Sequence, residues 1–476
     1  MVFGDTRADV VTASTSTAST SWVGRLAAQL HDAYRGEVPG PILDRAALHL
    51  LDSIACAAGA VDAEPVTATR RAVAGSGPGV ATVLFGAAKA STVDAVLVNG
   101  TAVRFLDAND IFLGSGPGGH PSDNVVVALA AGEESGASGR DVLTAIALSY
   151  DLVSRIRTLL YRPSRHAHDW HEVSISGTVA AAMAGLLYGL DKDQLAQAIA
   201  IGAAKGYALK EIRRGEISAM KACGNALVAR DGVLAAQLAR AGLTGPMQVF
   251  EGESGLFNAI GLEPDESTLA ALTAEPEWAI SRASIKAFPG LGTSQAAVNA
   301  AARLNAAHGP LHATSVRRIG IRLADSAYTR DYRNLGERLR PTTRETADHS
   351  IQFLVAVALL DGWVTPDHYE SQAWLAPRVT DLMAKTEIIA DPELNSHADT
   401  VFPAIVEVET ITGETHRQVV RDTPGSPQAP WSREDIVAKF GRFQRPGHVH
   451  DIEAIADAAL GLSEADDLSA LMPLLR

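Results

Sequence analysis

From Trp22 to about Phe257, apolar residues come in runs of roughly ten to twenty with helical spacing, separated by short connections that carry Gly or Pro. The pattern predicts a large all-helical domain over residues 22–275. Pro41 suits a first helical turn ahead of Ile42 to Leu51, and Ser138-Gly-Arg-Asp141 has the form of a capping box. A short β signal at Ala81 to Phe85 stands isolated among the helices. The character changes after Glu275-Pro276. Trp278 to Ala287 reads as extended, Ser294 to Leu304 as a helix and Val316 to Leu323 as a half-buried strand. Ala404 to Val420 reads as a hairpin turning near Thr412-Gly413. These predict a smaller α+β domain over residues 276–422, inserted before helices at 423–476 that return to the helical domain. Ser432-Arg-Glu-Asp435 marks one of those helix starts. The fold class expected is mainly α with a smaller α+β domain.

Composition narrows this picture. With 476 residues, 47% hydrophobic and only 5% aromatic, the core must be packed by small residues, as in Gly177 to Tyr188. A formal charge of −14 with no Lys/Arg block excludes a general nucleic-acid binder. No apolar run reaches the roughly 20 residues that a membrane span needs. Cys56 and Cys223 are the two cysteines and form no CxxC or zinc spacing, so reduced thiols and a cytoplasmic location are expected. Residues 1–21, rich in Thr, Ser and Ala, read as a flexible tail without an export signal.

Four segments carry candidate chemistry. Asp107 to Asn124 packs Asp107, Asp110, a glycine-rich stretch and His120 between two helical runs. A histidine changes protonation near neutral pH and a carboxylate can orient it, which suits acid/base work. Ser122 and Asn124 either meet a ligand or cap the next helix, and the glycine-rich stretch lacks a P-loop ending. Arg165 to Glu172 contains His168 and His171, which share a helix face but lack the further ligands of a zinc motif, so an acid/base His171 is preferred. Lys221 lies among small, uncharged neighbours, and Lys286 lies at a strand end before a Pro-Gly loop.

Taken in order, Leu106-Asp107 to Asp110, Gly-His120-Pro-Ser-Asp-Asn124, His171, Ser218-Ala-Met-Lys221, Thr244-Gly-Pro, Glu251-Gly, Ile285-Lys286 and Arg344-Glu-Thr-Ala-Asp-His-Ser350 resemble the MmgE/PrpD family from about residue 22 onward. That family includes 2-methylcitrate dehydratases, cis-aconitate decarboxylases and iminodisuccinate epimerases. The resemblance implies a helical domain, an α+β lid domain, a homodimer and a polar site between the domains. By position, His120 and His171 would transfer protons, while Lys221 and Lys286 would clamp carboxylates. Asp107 and Asp110 would orient histidines, Lys221 would also count among the catalytic residues, and Asp110, Ser122 and Gln295 would be further substrate contacts. The scheme needs neither metal nor cofactor.

Ile111, Trp170, Gly292-Thr293-Ser-Gln295 and Phe353 depart from the family pattern and leave a less polar pocket. Asp348-His349-Ser350 reads as a cap ahead of a core helix, Ile351 to Leu360. The expectation is a lyase on a small di- or tricarboxylate, with water elimination first, decarboxylation next and epimerisation third. A catalytically silent ligand-binding homologue is the reading of another class.

Overall fold

The computed structural model describes residues 20–476 apart from 78, 87, 115, 161–170, 214, 264, 333–334, 398–401, 446 and 449. The expectations for residues 1–19, His168 and Trp170 lie outside the described residues. Ser21, assigned to the tail, instead caps the first helix by accepting a hydrogen bond from the Gly24 amide at 3.2 Å.

The helical part comprises α1 (Trp22–Arg35), α2 (Gly40–Ala58), α3 (Thr92–Phe105), α4 (Val125–Ser135), α5 (Gly139–Leu160), α6 (Ser176–Leu187), α7 (Lys192–Lys205) and α8 (Met220–Arg240). Ser138 caps α5 through the Asp141 amide, as the sequence predicts. Small residues set how closely these helices approach. A Cβ added at Gly232 of α8 would lie 2.5 Å from the Gly177 carbonyl oxygen of α6, and one at Gly202 of α7 would lie 2.6 Å from the same atom. Glycine at both positions therefore permits backbone contact among the three helices, and this anchors the helix that carries Lys221.

The glycine-rich segment forms a hairpin of β1 (Asp110–Gly114) and β2 (Gly116–Gly119), not a plain loop. The third strand, β3 (Ala283–Ile285), pairs antiparallel with β1, setting Asp110 opposite Ile285. The extended stretch predicted over Trp278 to Ala287 is shorter than expected. Trp278 takes a left-handed φ of 52°, and Ala279–Arg282 closes a 3-10 turn before the strand begins. The β signal near Ala81 reduces to Ala81–Thr82 paired with Lys89–Ala90.

Helix α9 (Gln295–His308) packs beside α10 (Ile351–Asp361) and against a sheet of β4 (Val316–Ala324), β5 (Thr386–Asp391), β6 (Ala404–Thr410) and β7 (Thr415–Val420). The strand order is β5-β4-β6-β7, with β4 and β5 parallel and the other pairs antiparallel. The predicted hairpin turns at Gly413, whose φ is 91°. Strand β5 was not predicted. The molecule is thus mainly helical with a smaller α+β part.

Helix α11 (Arg433–Phe443) begins with the Ser432/Asp435 capping box, and α12 (Ile452–Leu460) follows. Both pack on α2. Buried Lys439 of α11 donates to Asp52 Oδ1 of α2 at 2.5 Å and to the Ala108 carbonyl at 2.6 Å. The C-terminal helices therefore fasten the turn that holds Asp107. Removing one partner of a buried pair leaves the other charge uncompensated, so Lys439→Ala is expected to cost about 3–5 kcal/mol. Asp52→Asn combined with Lys439→Met should recover much of that loss in thermal melting. Equal melting temperatures for Lys439→Ala and wild type would show that the pair contributes nothing.

Candidate active site

Asp107 follows the last turn of α3 in a left-handed conformation, φ 52°. For a residue with a Cβ this costs about 1–2 kcal/mol, and it turns the side chain back toward the helix end. Its carboxylate meets three cations: Arg104 Nη1 at 2.6 Å, Lys286 Nζ at 2.5 Å and Lys221 Nζ at 2.9 Å. Its backbone carbonyl also accepts from Lys286 at 2.9 Å and from the Gly290 amide at 3.1 Å. Burial alone would raise the Asp107 carboxyl, but the three cations hold it well below the usual carboxylate range.

Lys221, in the first turn of α8, joins Asp107 to Asp348, whose two oxygens lie 2.7 and 2.6 Å from Nζ. Its ammonium nitrogen thus lies within 2.9 Å of three carboxylate oxygens. Asp348 is lowered to about 2 against the effect of its burial, first by Lys221 and then by His349. The Asp348 carboxylate can only accept, so the His349 Nδ1 beside it carries the proton. Asp107, Asp348 and His349 bring ligand-type atoms within 4.8 Å of one another. The Lys221 ammonium sits among them and supplies the positive charge there.

The two predicted acid/base histidines take opposite tautomers. His120 Nδ1 is 2.6 Å from the Asp110 carbonyl oxygen, an acceptor, so Nδ1 is protonated and Nε2 keeps its lone pair. His171 Nδ1 accepts from the Val173 amide at 3.2 Å, which leaves the proton on Nε2. Both imidazoles are held neutral. Burial, then Arg104 and Lys286, lowers His120 well below its ordinary value. Burial, then Arg213 and Arg104, lowers His171 to about 2. Burial also brings Lys286 down to about 8, with Asp107 opposing the shift.

The remaining predicted residues engage the protein itself. Asp110 Oδ1 accepts from Ser122 Oγ at 2.6 Å, and Asn109 donates to Ser122 Oγ at 2.9 Å and to Asp123 Oδ1 at 2.8 Å. Burial raises Asp110 to about 7 and Asp123 to about 6. Asp110 reaches His120 through its backbone carbonyl and not through its carboxylate. Gln295 accepts from the Ala287 and Phe288 amides, each at 3.1 Å, and donates to the Phe288 carbonyl at 3.0 Å. It thereby fixes the loop that follows Lys286. Ile111 lines a cavity with Lys286 and Gln295, whereas Phe353 is buried against Tyr369 and Trp374. A second cavity opens beside His120, among Asp123, Arg157, Glu172, Ser176 and Asn225.

Sequence reasoning missed Arg104, Asp348 and His349. Ser350 does cap α10, accepting from the Phe353 amide at 3.3 Å, so the cap reading was sound for that residue only.

Two family models match the chain: the MmgE/PrpD N-terminal domain over residues 24–268 and the MmgE/PrpD C-terminal domain over residues 288–461. The chain is 27% identical over 401 residues to the human cis-aconitate decarboxylase, covering 80% of this chain and 79% of that protein. It is 25% identical over 464 residues to a cis-aconitate decarboxylase of Aspergillus terreus, covering 92% of each. A 2-methylcitrate dehydratase of Cupriavidus necator is 26% identical over 336 residues, 67% of each chain.

The Asp348 carboxyl, lowered to about 2 from 3.8, contributes stability that is whole above its ordinary value and is lost as pH falls through about 2. Asp348→Asn should therefore lower the urea midpoint at pH 7, with the gap to wild type narrowing between pH 4 and pH 2. A gap of constant size over that range would locate the effect elsewhere.

Proposed function

This chain belongs to the MmgE/PrpD family, and on that footing we propose that it is a lyase acting on a small polycarboxylate by proton transfer at a carbon beside a carboxylate. The observation that carries the reading is the opposed readiness of two groups. His120 offers an Nε2 lone pair from a neutral ring, and Lys286 holds a proton with a pKa near 8. The two line neighbouring cavities, and Lys286 lowers His120 from within electrostatic reach; titratable groups pushed apart in this way can serve as a base and an acid.

In the first reading His120 removes the proton next to a substrate carboxylate. The electron pair forms the new double bond, the β-hydroxyl leaves, and a proton from Lys286 makes it water. His171 donates through Nε2 to a substrate oxygen, and Asp107 and Lys221 position these groups. Lys286 gives two of its three hydrogens to Asp107, so one is left for the substrate. No cofactor enters the scheme.

Decarboxylation is the second reading, favoured by Ile111. This apolar side chain lines the cavity beside Lys286, where a departing hydroxyl would want a donor and a departing carbon dioxide would not. The electron pair of the broken carbon–carbon bond then stays on the substrate carbon, which takes the proton that Lys286 holds. The names of the decarboxylase relatives support the same alternative.

A homodimer is the assembly we propose. Helix α8 carries Lys221 on its buried side and exposes Met220, Leu227 and Leu234 at seven-residue intervals on another face, an apolar stripe suited to a second copy.

Wild-type protein incubated with hydroxylated and unsaturated tricarboxylates and followed by proton NMR should convert at least one, and loss of water or of carbon dioxide identifies the reaction. His120→Ala should lower kcat about 100- to 10,000-fold with its circular dichroism unchanged. Wild-type turnover in that variant would remove His120 from the reaction.

The rate should also fall as pH rises through about 8, where Lys286 loses its proton. Lys286→Arg, whose guanidinium does not titrate there, should lose that alkaline limb along with much activity. Persistence of the limb would assign it to another group.

A further inference from the structure

The lysines leave most of a polycarboxylate's charge unmatched. Lys221 donates to both oxygens of Asp348 and pairs with Asp107 at 2.9 Å, and Lys286 keeps one hydrogen beyond Asp107. A ligand with two or three carboxylates, moved out of water into this site, needs another cation with donors to offer.

Arg213 has the required placement. It ends the 3-10 turn Lys210–Arg213, in the connection between α7 and α8 shortly before Lys221. Its side chain is 20% exposed, and Nη1 stands 3.7 Å from Glu172 Oε1, an attraction longer than a hydrogen bond. Glu172 follows His171 directly and lines the cavity that also presents His120. Arg213 Nε and Glu172 Oε1 are both buried without a hydrogen-bond partner among the described residues. Buried polar atoms of this kind call for a partner, and a carboxylate at the cavity edge would supply one for Nε. The positive charge of Arg213 also lowers both His120 and His171, which sets the guanidinium within electrostatic reach of both rings.

We propose that Arg213 binds a substrate carboxylate that does not react, through Nε and an adjacent Nη in the paired geometry that guanidinium offers, and so selects tricarboxylates over dicarboxylates. This rests on the polycarboxylate reading above. Arg213 stands behind the cavity lining, paired at 3.7 Å with Glu172, which is part of that lining, and a ligand carboxylate would draw the guanidinium from Glu172 into the cavity.

The probes are tricarballylate, a saturated tricarboxylate, and glutarate, a dicarboxylate, with binding measured by isothermal titration calorimetry on the full chain. Wild type should bind tricarballylate. Arg213→Met should weaken that binding at least tenfold while changing glutarate binding less than twofold. For the substrate found by NMR, KM should rise at least tenfold with kcat within about threefold, and Arg213→Lys, which keeps charge but loses the fork, should fall between. The lysine variant also covers the case in which the methionine variant does not fold. Tricarballylate binding that both variants retain at wild-type strength would overturn the Arg213 assignment alone. A wild type that neither turns over any polycarboxylate nor binds tricarballylate would overturn the substrate class and this assignment together.

Discussion

The Asp107 carboxylate, buried among the cations of Arg104, Lys221 and Lys286, is the interaction on which the arrangement of this protein depends. Each cation arrives on a different element: the end of α3, the start of α8 and the residue after β3. A buried ion cluster of this kind is weak evidence for stability, because desolvation opposes the attraction. Its effect is on geometry. No one of the three charges can move without leaving another uncompensated, so the two parts of the molecule meet in one register. Lys439 reinforces this from behind by holding the Ala108 carbonyl, one residue from Asp107.

The same cluster sets the protonation states around it. Half-buried His120 and buried His171 lie within reach of positive charge, and both imidazoles are held in the neutral form. Local hydrogen bonds then choose the tautomer: the Asp110 carbonyl accepts from His120 and keeps that ring's proton on Nδ1, and the Val173 amide donates to Nδ1 of His171 and leaves its proton on Nε2. Two chemically identical side chains thereby become an acceptor and a donor. Neither choice depends on a titrating partner, because both contacts are with the backbone.

The sequence made most helices legible because the apolar period, the capping residues at Ser138 and Ser432 and the Gly/Pro breaks agree with one another. It concealed β1 and β2 because a glycine-rich stretch has no alternation to read. It concealed β5 because six residues, Thr386 to Asp391, follow a helix and pair in parallel with a strand far from them in sequence. The candidate site was half visible. His120, His171, Lys221 and Lys286 stood out against apolar or small neighbours, whereas Asp348 had a sufficient local explanation as part of a helix cap. Its partner Lys221 lies 127 residues away, a separation that no local pattern reports. Arg104 was hidden in the same way, as a basic residue at a helix C-terminus where the dipole already favours one.

The electrostatic state of the site also bears on how an anionic substrate would act once bound. His120 is a weak base in the free protein because burial and the charges of Arg104, Lys286 and Arg213 all lower its proton affinity. A carboxylate arriving among those cations opposes their field, which raises the affinity of the ring for a proton at the moment a carbon acid stands beside it. Asp107 already acts in that direction but is committed to its three cations. The substrate's own charge would therefore complete the base that attacks it, and a ligand with fewer carboxylates would bind less tightly and also face a less basic His120. Under the proposed function, charge number would govern both binding and rate, and discrimination among carboxylates would require no hydroxyl-specific contact at the position that Ile111 fills.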